Sequence, residues 1–138
     1  MLTDVITALG EMQVGVVKCR YLDTADLQVD PADCPLRIIV PIVESDGEFV
    51  AIGSMEGTTW SIHDVLLWRP ITKGSARQDI EGMCAYVDDY LETLKAKRSP
   101  TSSSWIVGWK IFIGPIAWAE QVADFRGVDI TLAIQEAK

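Results

Sequence analysis

The residues best suited to chemistry are few in this chain. Its one histidine, His63, stands beside Asp64. In an extended segment such neighbours point to opposite faces, so the two do not form a relay, although Ser61, His63 and Arg69 could share a face. No activated nucleophile accompanies them, and His63 reads as a structural or surface histidine. Asp88 and Asp89 are adjacent on a predicted helix and so point about 100° apart. Carboxylates that share acid–base work would sit three or four residues apart on one face, so this pair reads as a solvated face. Asp23, Asp26, Asp30 and Asp33 lack the Asp-x-Asp-x-Asp-Gly spacing of a calcium loop. Lys73-Gly74-Ser75 has the residues of a phosphate loop in the wrong order and without the preceding glycines, and Gly53 and Gly57 complete no dinucleotide fingerprint. Cys19, Cys34 and Cys84 form no Cys-x-x-Cys pair and have a single histidine for company, which argues against zinc. Their odd number fits a reducing compartment and a reading as small buried hydrophobes. No catalytic residue, cofactor or metal is expected, and the chain does not read as an enzyme.

The five tryptophans carry more information: Trp60, Trp68, Trp105, Trp109 and Trp118. A core of this size does not easily hide all five. Either they form one aromatic core, or some are interface anchors, where tryptophan is enriched. Trp105 and Trp109 are the candidates for an interface.

The chain that positions these residues has 138 residues, 49% of them hydrophobic and 23% charged, with a net charge of −8. That is the size and composition of one globular domain, 1–138. The acidic balance argues against gripping nucleic acid, which needs a basic face. No apolar run reaches the ~20 residues of a membrane span, and the start, Met1-Leu2-Thr3-Asp4, is not that of a secretory signal. A cytosolic protein without a membrane is expected.

Apolar spacing predicts a short helix over 3–9, stopped by Gly10, and a strand over 14–21. Residues 23–35 read as an irregular connection. Residues 36–43 read as a buried strand that Pro41 kinks or confines to an edge. Glu44, Ser45, Asp46, Gly47 and Glu48 form a predicted turn on the Asp-Gly signal. A strand over 49–52 follows, then a loop tip over 53–57. Residues 58–69 form a long strand with Trp60, Ile62, Leu66 and Trp68 on one face, interrupted by Asp64. The best-marked helix buries Ile80, Met83, Cys84, Val87, Leu91 and Leu94 at three- and four-residue steps. Asp79 and Glu81 near its start, and Lys95, Lys97 and Arg98 at its end, match its dipole. Residues 99–104 read as an exposed linker. Trp105, Val107, Trp109, Ile111 and Ile113 alternate as a strand, broken by Gly114-Pro115; residues 116–124 fit either a helix or a strand. Val128, Ile130, Leu132 and Ile134 alternate with polar residues as a half-buried strand. The expected fold class is α+β: a mainly antiparallel sheet with one long helix packed on it and a short N-terminal helix.

The order of elements resembles the tail terminator, or neck, proteins of long-tailed bacteriophages. The likeness lies in the N-terminal helix, the polar connection to a proline-flanked strand and the hairpin. It continues through the stretch from Trp60 to Pro70, the helix segment from Tyr86 to Leu94 and the closing stretch from Phe125 to Glu136. It covers most of the chain; the Trp-rich segment 105–118 is bulkier than the pattern. The resemblance implies a homo-oligomer, a hexameric ring that caps the tail tube and joins tail to head. Its partners would be the tail tube protein and a head-completion or adaptor protein. DNA would pass, without specific binding, through an acidic lumen in a virion assembled in the host cytoplasm. Two alternatives are a different neck ring and a small-molecule-binding domain with a Trp-lined pocket. For an assembly role the candidate contact residues are Glu44, Ser45, Asp46, Gly47, Glu48, Phe49 and Met55 of the hairpin, with Trp105 and Trp109; the linker 99–104 is a second docking candidate.

With denaturant and no reductant, all three cysteines should react with a thiol reagent. A blocked thiol, or stoichiometric zinc by elemental analysis, would overturn this reading.

Overall fold

The computed structural model describes residues 2–15, 17–21, 34–50, 55–71, 76–102, 104–116 and 125–137. Helix α1 spans Leu2–Glu11 and α2 spans Ala76–Ala96; the strands are β1 (Lys18–Tyr21), β2 (Leu36–Val50), β3 (Met55–Pro70), β4 (Ser104–Ile116) and β5 (Phe125–Ala137). They form one sheet of order β1-β2-β3-β5-β4. β1 runs parallel to β2, and every other pairing is antiparallel. The expected α+β class with a long and a short helix is what the chain adopts.

Both helices pack on one face of the sheet. Val5 and Leu9 of α1, Met83, Tyr86, Tyr90 and Leu94 of α2, and Ile62, Leu66, Val128, Ile130, Leu132 and Ile134 of the sheet share one buried cluster. The strands β3 and β5 supply most of the sheet's share because their even-numbered residues point at the helices. A smaller cluster, Leu36, Ile38, Val65, Leu67 and Phe125, forms on the opposite face.

Several boundaries differ from expectation, each for a local reason. Helix α1 runs past Gly10 to Glu11. The strand expected over 14–21 is only Lys18–Tyr21, because Gly15 takes a positive φ of 58° that breaks extended backbone. The Gln13 side chain donates to the Gly15 carbonyl at 2.8 Å and holds that turn. The turn expected over 44–48 is strand: β2 pairs with β3 as far as Val50↔Met55, and residues 51–54 lie outside the described residues. The Asp-Gly signal instead lies just beyond a shift of register between Pro41 and Ser45. The kink assigned to Pro41 is that irregularity; β1 pairs with β2 over Leu36–Ile39, up to Tyr21, the last described residue before 34. Gly114-Pro115 does not end β4, which continues to Ile116. β4 is an edge strand, where a residue without an N–H is tolerated. The tail of the 116–124 segment and the connection 23–33 lie outside the described residues.

The buried stripe of α2 is Asp79, Met83, Tyr86, Tyr90 and Leu94. Ile80 and Cys84, expected inside, are exposed, while Val87 and Leu91 pack at its margin. The stripe is rotated by about one residue because two tyrosines and an aspartate, polar by type, occupy the inward positions. Gly82 leaves room for Trp68: a Cβ there would meet the Trp68 ring at 2.5 Å.

Asp64, which interrupts the apolar face of β3, explains the polar residues inside. It is 1% exposed, as is Arg37 of β2. The Arg37 Nε donates to both Asp64 oxygens at 2.9 and 2.8 Å. Its Nη1 donates to the Met12 carbonyl at 2.6 Å and its Nη2 to the Leu9 carbonyl at 2.7 Å. Those carbonyls close α1, whose last turn has no basic residue of its own. Arg37 therefore supplies the cation and donors that a helix C-terminus lacks. Tyr90 of α2 donates its hydroxyl to Asp64 at 2.8 Å. One ion pair thus joins both helices to both strands. Burial opposes the charge on Arg37, but the Asp64 carboxylate outweighs it and raises the guanidinium pKa. Burial likewise raises Tyr86 and Tyr90, with Asp64 adding to it.

Removing Asp64 strands the Arg37 charge, so Asp64→Ala should lose roughly 3–5 kcal/mol in urea unfolding. The tyrosines keep their protons when folded and release them near pH 10 when unfolded. Stability is therefore whole below about pH 10 and falls above it, by roughly 1.4 kcal/mol per pH unit for each such tyrosine. A melting temperature that stays flat to pH 11 would contradict this, and Tyr90→Phe should reduce the slope.

Candidate assembly surface

β4 is the last strand of the sheet, and its outer edge has no strand beside it among the described residues. Its register against β5 shifts between Ile106 and Gly108. The bulge splits the expected single alternation. Ile106 lies opposite Ile134, Trp109 opposite Leu132, Ile111 opposite Ile130 and Ile113 opposite Val128, so these share the helix side of the sheet. Trp105, Lys110 and Phe112, opposite Gln135, Thr131 and Asp129, share the other side. Both faces of β4 are therefore apolar, with Lys110 the one charge in the strand.

The helices cover only part of this strand, where Ile106 joins their buried cluster and Ile111 packs at its margin. α1 lies over β1 and β2, and α2 over β5. The result is an exposed apolar band: Trp105 is 37% exposed, Val107 49%, Trp109 53%, Phe112 53% and Ile113 36%, with Ile80 of α2 at 50%. Two open cavities mark the seam between α2 and β4. One of about 240 Å³ lies among Leu91, Leu94, Arg98, Ile106, Val107 and Trp109. The other, of about 370 Å³, lies among Ile71, Ile80, Met83, Ile113, Pro115 and Arg126. At the second, Asp79 of α2 is 1% exposed and holds Arg69 of β3 at 3.0 Å and Arg126 of β5, which also donates to the Ile71 carbonyl at 2.9 Å. Asp79, expected only to complement the helix dipole, instead ties α2 to two strands. Arg69 is thereby drawn away from Ser61 and His63, so the face expected for those three does not form.

The turn into β4 is ordered by its own side chains. The Ser99 hydroxyl donates to the Thr101 and Ser104 carbonyls at 2.7 and 2.8 Å, and Thr101 N–H donates to Ser104 Oγ at 3.2 Å. Ser104 is fully buried. The exposed linker expected over 99–104 is thus a hydrogen-bonded turn, since its hydroxyls replace missing backbone partners.

His63 lies on the sheet face away from the helices. Its Nδ1 is 2.8 Å from Asp129 Oδ1 and its Nε2 is 3.5 Å from Thr131 Oγ1. The order is that of a hydrolytic triad, but the hydroxyl contact is too long for a made hydrogen bond. The three side chains sit on adjacent antiparallel strands, and the two seam cavities are lined by other residues. The arrangement works as a cross-strand polar pair.

The remaining expected contact residues are placed on the other side of the sheet. Glu44, Ser45, Asp46, Gly47, Glu48 and Phe49 lie in the outer half of β2, and Met55 opens β3. The structure does not bring them to Trp105 and Trp109. β3 and β5 stand between β2 and β4, a separation of about 14 Å across three strand spacings, and β5 stands between Met55 and β4. Trp60 and Trp68 are half-buried, and Trp118 lies outside the described residues. None of the three cysteines forms a disulfide; Cys19 and Cys34 are half-buried against the two hydrophobic clusters, whereas Cys84 is exposed. Val107, Phe112, Ile113 and Ile80 were missed as surface residues. The signal was present, because residues 105–107 and 111–113 are apolar at consecutive positions and no half-buried strand pattern allows that.

No described helix is long and apolar enough to cross a membrane. No protein-family model matches the chain, and no curated protein matches its sequence.

Core and band should separate under mutation. Leu94→Ala should lose roughly 2–5 kcal/mol of stability. Val107→Ser should change the monomer's stability by no more than about 0.5 kcal/mol. Equal losses in denaturant titrations would show that the band is packed and not exposed.

Proposed function

We propose that this protein is a structural component of a bacteriophage virion, a ring at the head–tail junction that caps the tail tube and joins tail to head. The observation that carries the reading is the uncovered apolar strand β4. A monomer rarely leaves such a contiguous patch in water without using it, and a long open strand edge invites pairing with another chain. The resemblance to tail terminator proteins in the order of elements supplies the rest. On this reading function rests on surfaces and not on a reacting group. The ring is a homohexamer, its partners are the tail tube protein and a head-completion or adaptor protein, and the net charge of −8 keeps passing DNA from sticking to the lumen. Another ring of the same neck is the neighbouring reading.

A small-molecule site at the seam is the reading from a different class. The cavity beside Trp109 is about 240 Å³, below the usual 300–1,000 Å³ of ligand pockets; the other, of about 370 Å³, is large enough but has no tryptophan in its lining, so neither is the expected Trp-lined pocket. That favours the assembly reading.

Negative-stain images of the purified protein should show closed rings, and adding it to polymerising tail tubes should stop their growth with a ring at one end. Tubes that grow to the same length with and without it would refute the reading. A rise in melting temperature with one small molecule, following mass action, would favour the pocket.

A further inference from the structure

One hydrogen bond locates the open edge of β4 residue by residue. The Ile106 N–H donates to the Arg98 carbonyl at 2.8 Å, away from β5. Along an antiparallel pair, residues bonded to the partner strand alternate with residues whose N–H and C=O turn away from it. Ile106 stands opposite Ile134. The residues opposite Leu132, Ile130 and Val128 therefore turn outward too, and these are Trp109, Ile111 and Ile113. Pro115, next in the series, has no N–H to offer. The stretch open to another strand is thus Trp109–Ile113, closed at one end by Arg98 and at the other by proline. No strand lies beside it among the described residues. Trp109, Phe112 and Ile113 are 53%, 53% and 36% exposed.

That stretch is its own complement. Turned about a two-fold axis at Ile111, a second copy sets Ile111 against Ile111 and Trp109 against Ile113, so every outward N–H meets an outward carbonyl. An aromatic against a β-branched residue is a favourable cross-strand pair. On the face away from the helices Lys110, itself exposed, falls against the partner's Phe112, within reach of its ring. An axis at Lys110 would oppose the two lysines, and one at Phe112 would set Trp109 against proline. The axis stands perpendicular to the sheet, so both α2 helices lie on the same side. The cavity of about 240 Å³ beside Trp109 then faces the partner's cavity of about 370 Å³ beside Ile113. Ile80, half exposed at the second cavity, comes under the same contact. Covering the exposed parts of Ile80, Trp109, Lys110, Phe112 and Ile113 buries on the order of 500 Å² per copy, or about 1,000 Å² for the pair, the threshold of a specific interface.

We propose that two copies of this chain join by pairing Trp109–Ile113 of one β4 antiparallel with the same stretch of the other, about Ile111. The proposal goes beyond the ring reading and does not rest on it. A contact between like edges is isologous and closes at two copies. It joins two free copies, or two rings face to face, and leaves the contact around a ring to another surface.

The test reads the register through positions 110 and 112, both exposed. In the full chain F112E sets a carboxylate against each partner's Lys110, and F112K sets a second cation there. Folding is checked by circular dichroism, and association by sedimentation velocity across a concentration series at low salt. Wild type should pass from one species to its pair as concentration rises. F112E should pair at roughly tenfold lower concentration than F112K. Adding K110E should reverse that order, so that K110E/F112K pairs better than K110E/F112E. High salt should shrink both differences. As a second measurement, K110C and F112C chains are mixed and oxidised. Peptide mapping should find position 110 joined to position 112, since residues opposite in a non-hydrogen-bonded pair lie within disulfide reach.

The same order of F112E and F112K with and without K110E would overturn the pairing, as would mapping that finds no bond between 110 and 112. The mapping decides alone if a charge variant fails to fold. A wild type that stays monomeric at every concentration yet caps tail tubes would overturn the pairing and leave the ring reading intact. Pairs that form as expected, from a protein that never caps a tube, would uphold the pairing and remove the ring reading.

Discussion

The Arg37–Asp64 ion pair is the constraint on which the rest of the structure depends. Two charges taken almost wholly out of water must satisfy one another and nearly all their remaining hydrogen-bonding groups. Here the partners are the closing carbonyls of α1 and the hydroxyl of Tyr90 in α2. The pair therefore fixes where both helices sit on the sheet. Once they are placed over β1, β2, β3 and β5, only Ile106 and Ile111 of β4 reach the helix cluster, and the rest of the strand is left uncovered. The exposed strand is a consequence of how the core is tied together. The Asp79 cluster repeats the device at the other end of α2, where one buried carboxylate faces two arginines from neighbouring strands.

This arrangement also separates stability from contact. The helix side of β3 and β5 holds the core, and their opposite face carries a smaller buried cluster and the His63–Asp129 pair. The edges, by contrast, carry little of the core. Only Ser104 and Ile106 of β4 are buried, beside the ordered turn at Ser99–Ser104 that delivers the strand. A strand anchored at one end and along one side, with its other side open, suits a docking element. It is held in position by β5 and by the turn, so little ordering remains when a partner arrives.

Much of this was legible in the sequence, and the rest failed for physical reasons. Alternation located β3, β4 and β5, and helical spacing located α1 and α2. The helix stripe was misplaced because apolarity was taken as the mark of burial. Tyr86, Tyr90 and Asp79 are inside for their polar groups or rings, while Ile80 and Cys84 face water. Arg37 was invisible within an apolar run, since a single charge there reads as an exception until its partner, 27 residues away, is known. The hairpin was placed too early because Asp46-Gly47 has the composition of a turn, whereas the pairing with β3 carries the strand through it. In β4 the bulge at Val107 changed which tryptophan faces which side, and a single skipped residue leaves no trace in composition. The resemblance to neck proteins rests on the order of elements, and the uncovered edge gives that order a physical use.

The central claim is that β4 is an edge in the monomer and an inner strand in the assembled protein. Amide hydrogen exchange, read at residues 104–116 in dilute and in concentrated protein, tests it most directly. The outward-facing amides of β4 should exchange quickly in the dilute sample and slow by at least tenfold on assembly. Assembly that leaves the β4 amides as fast as before would contradict the account.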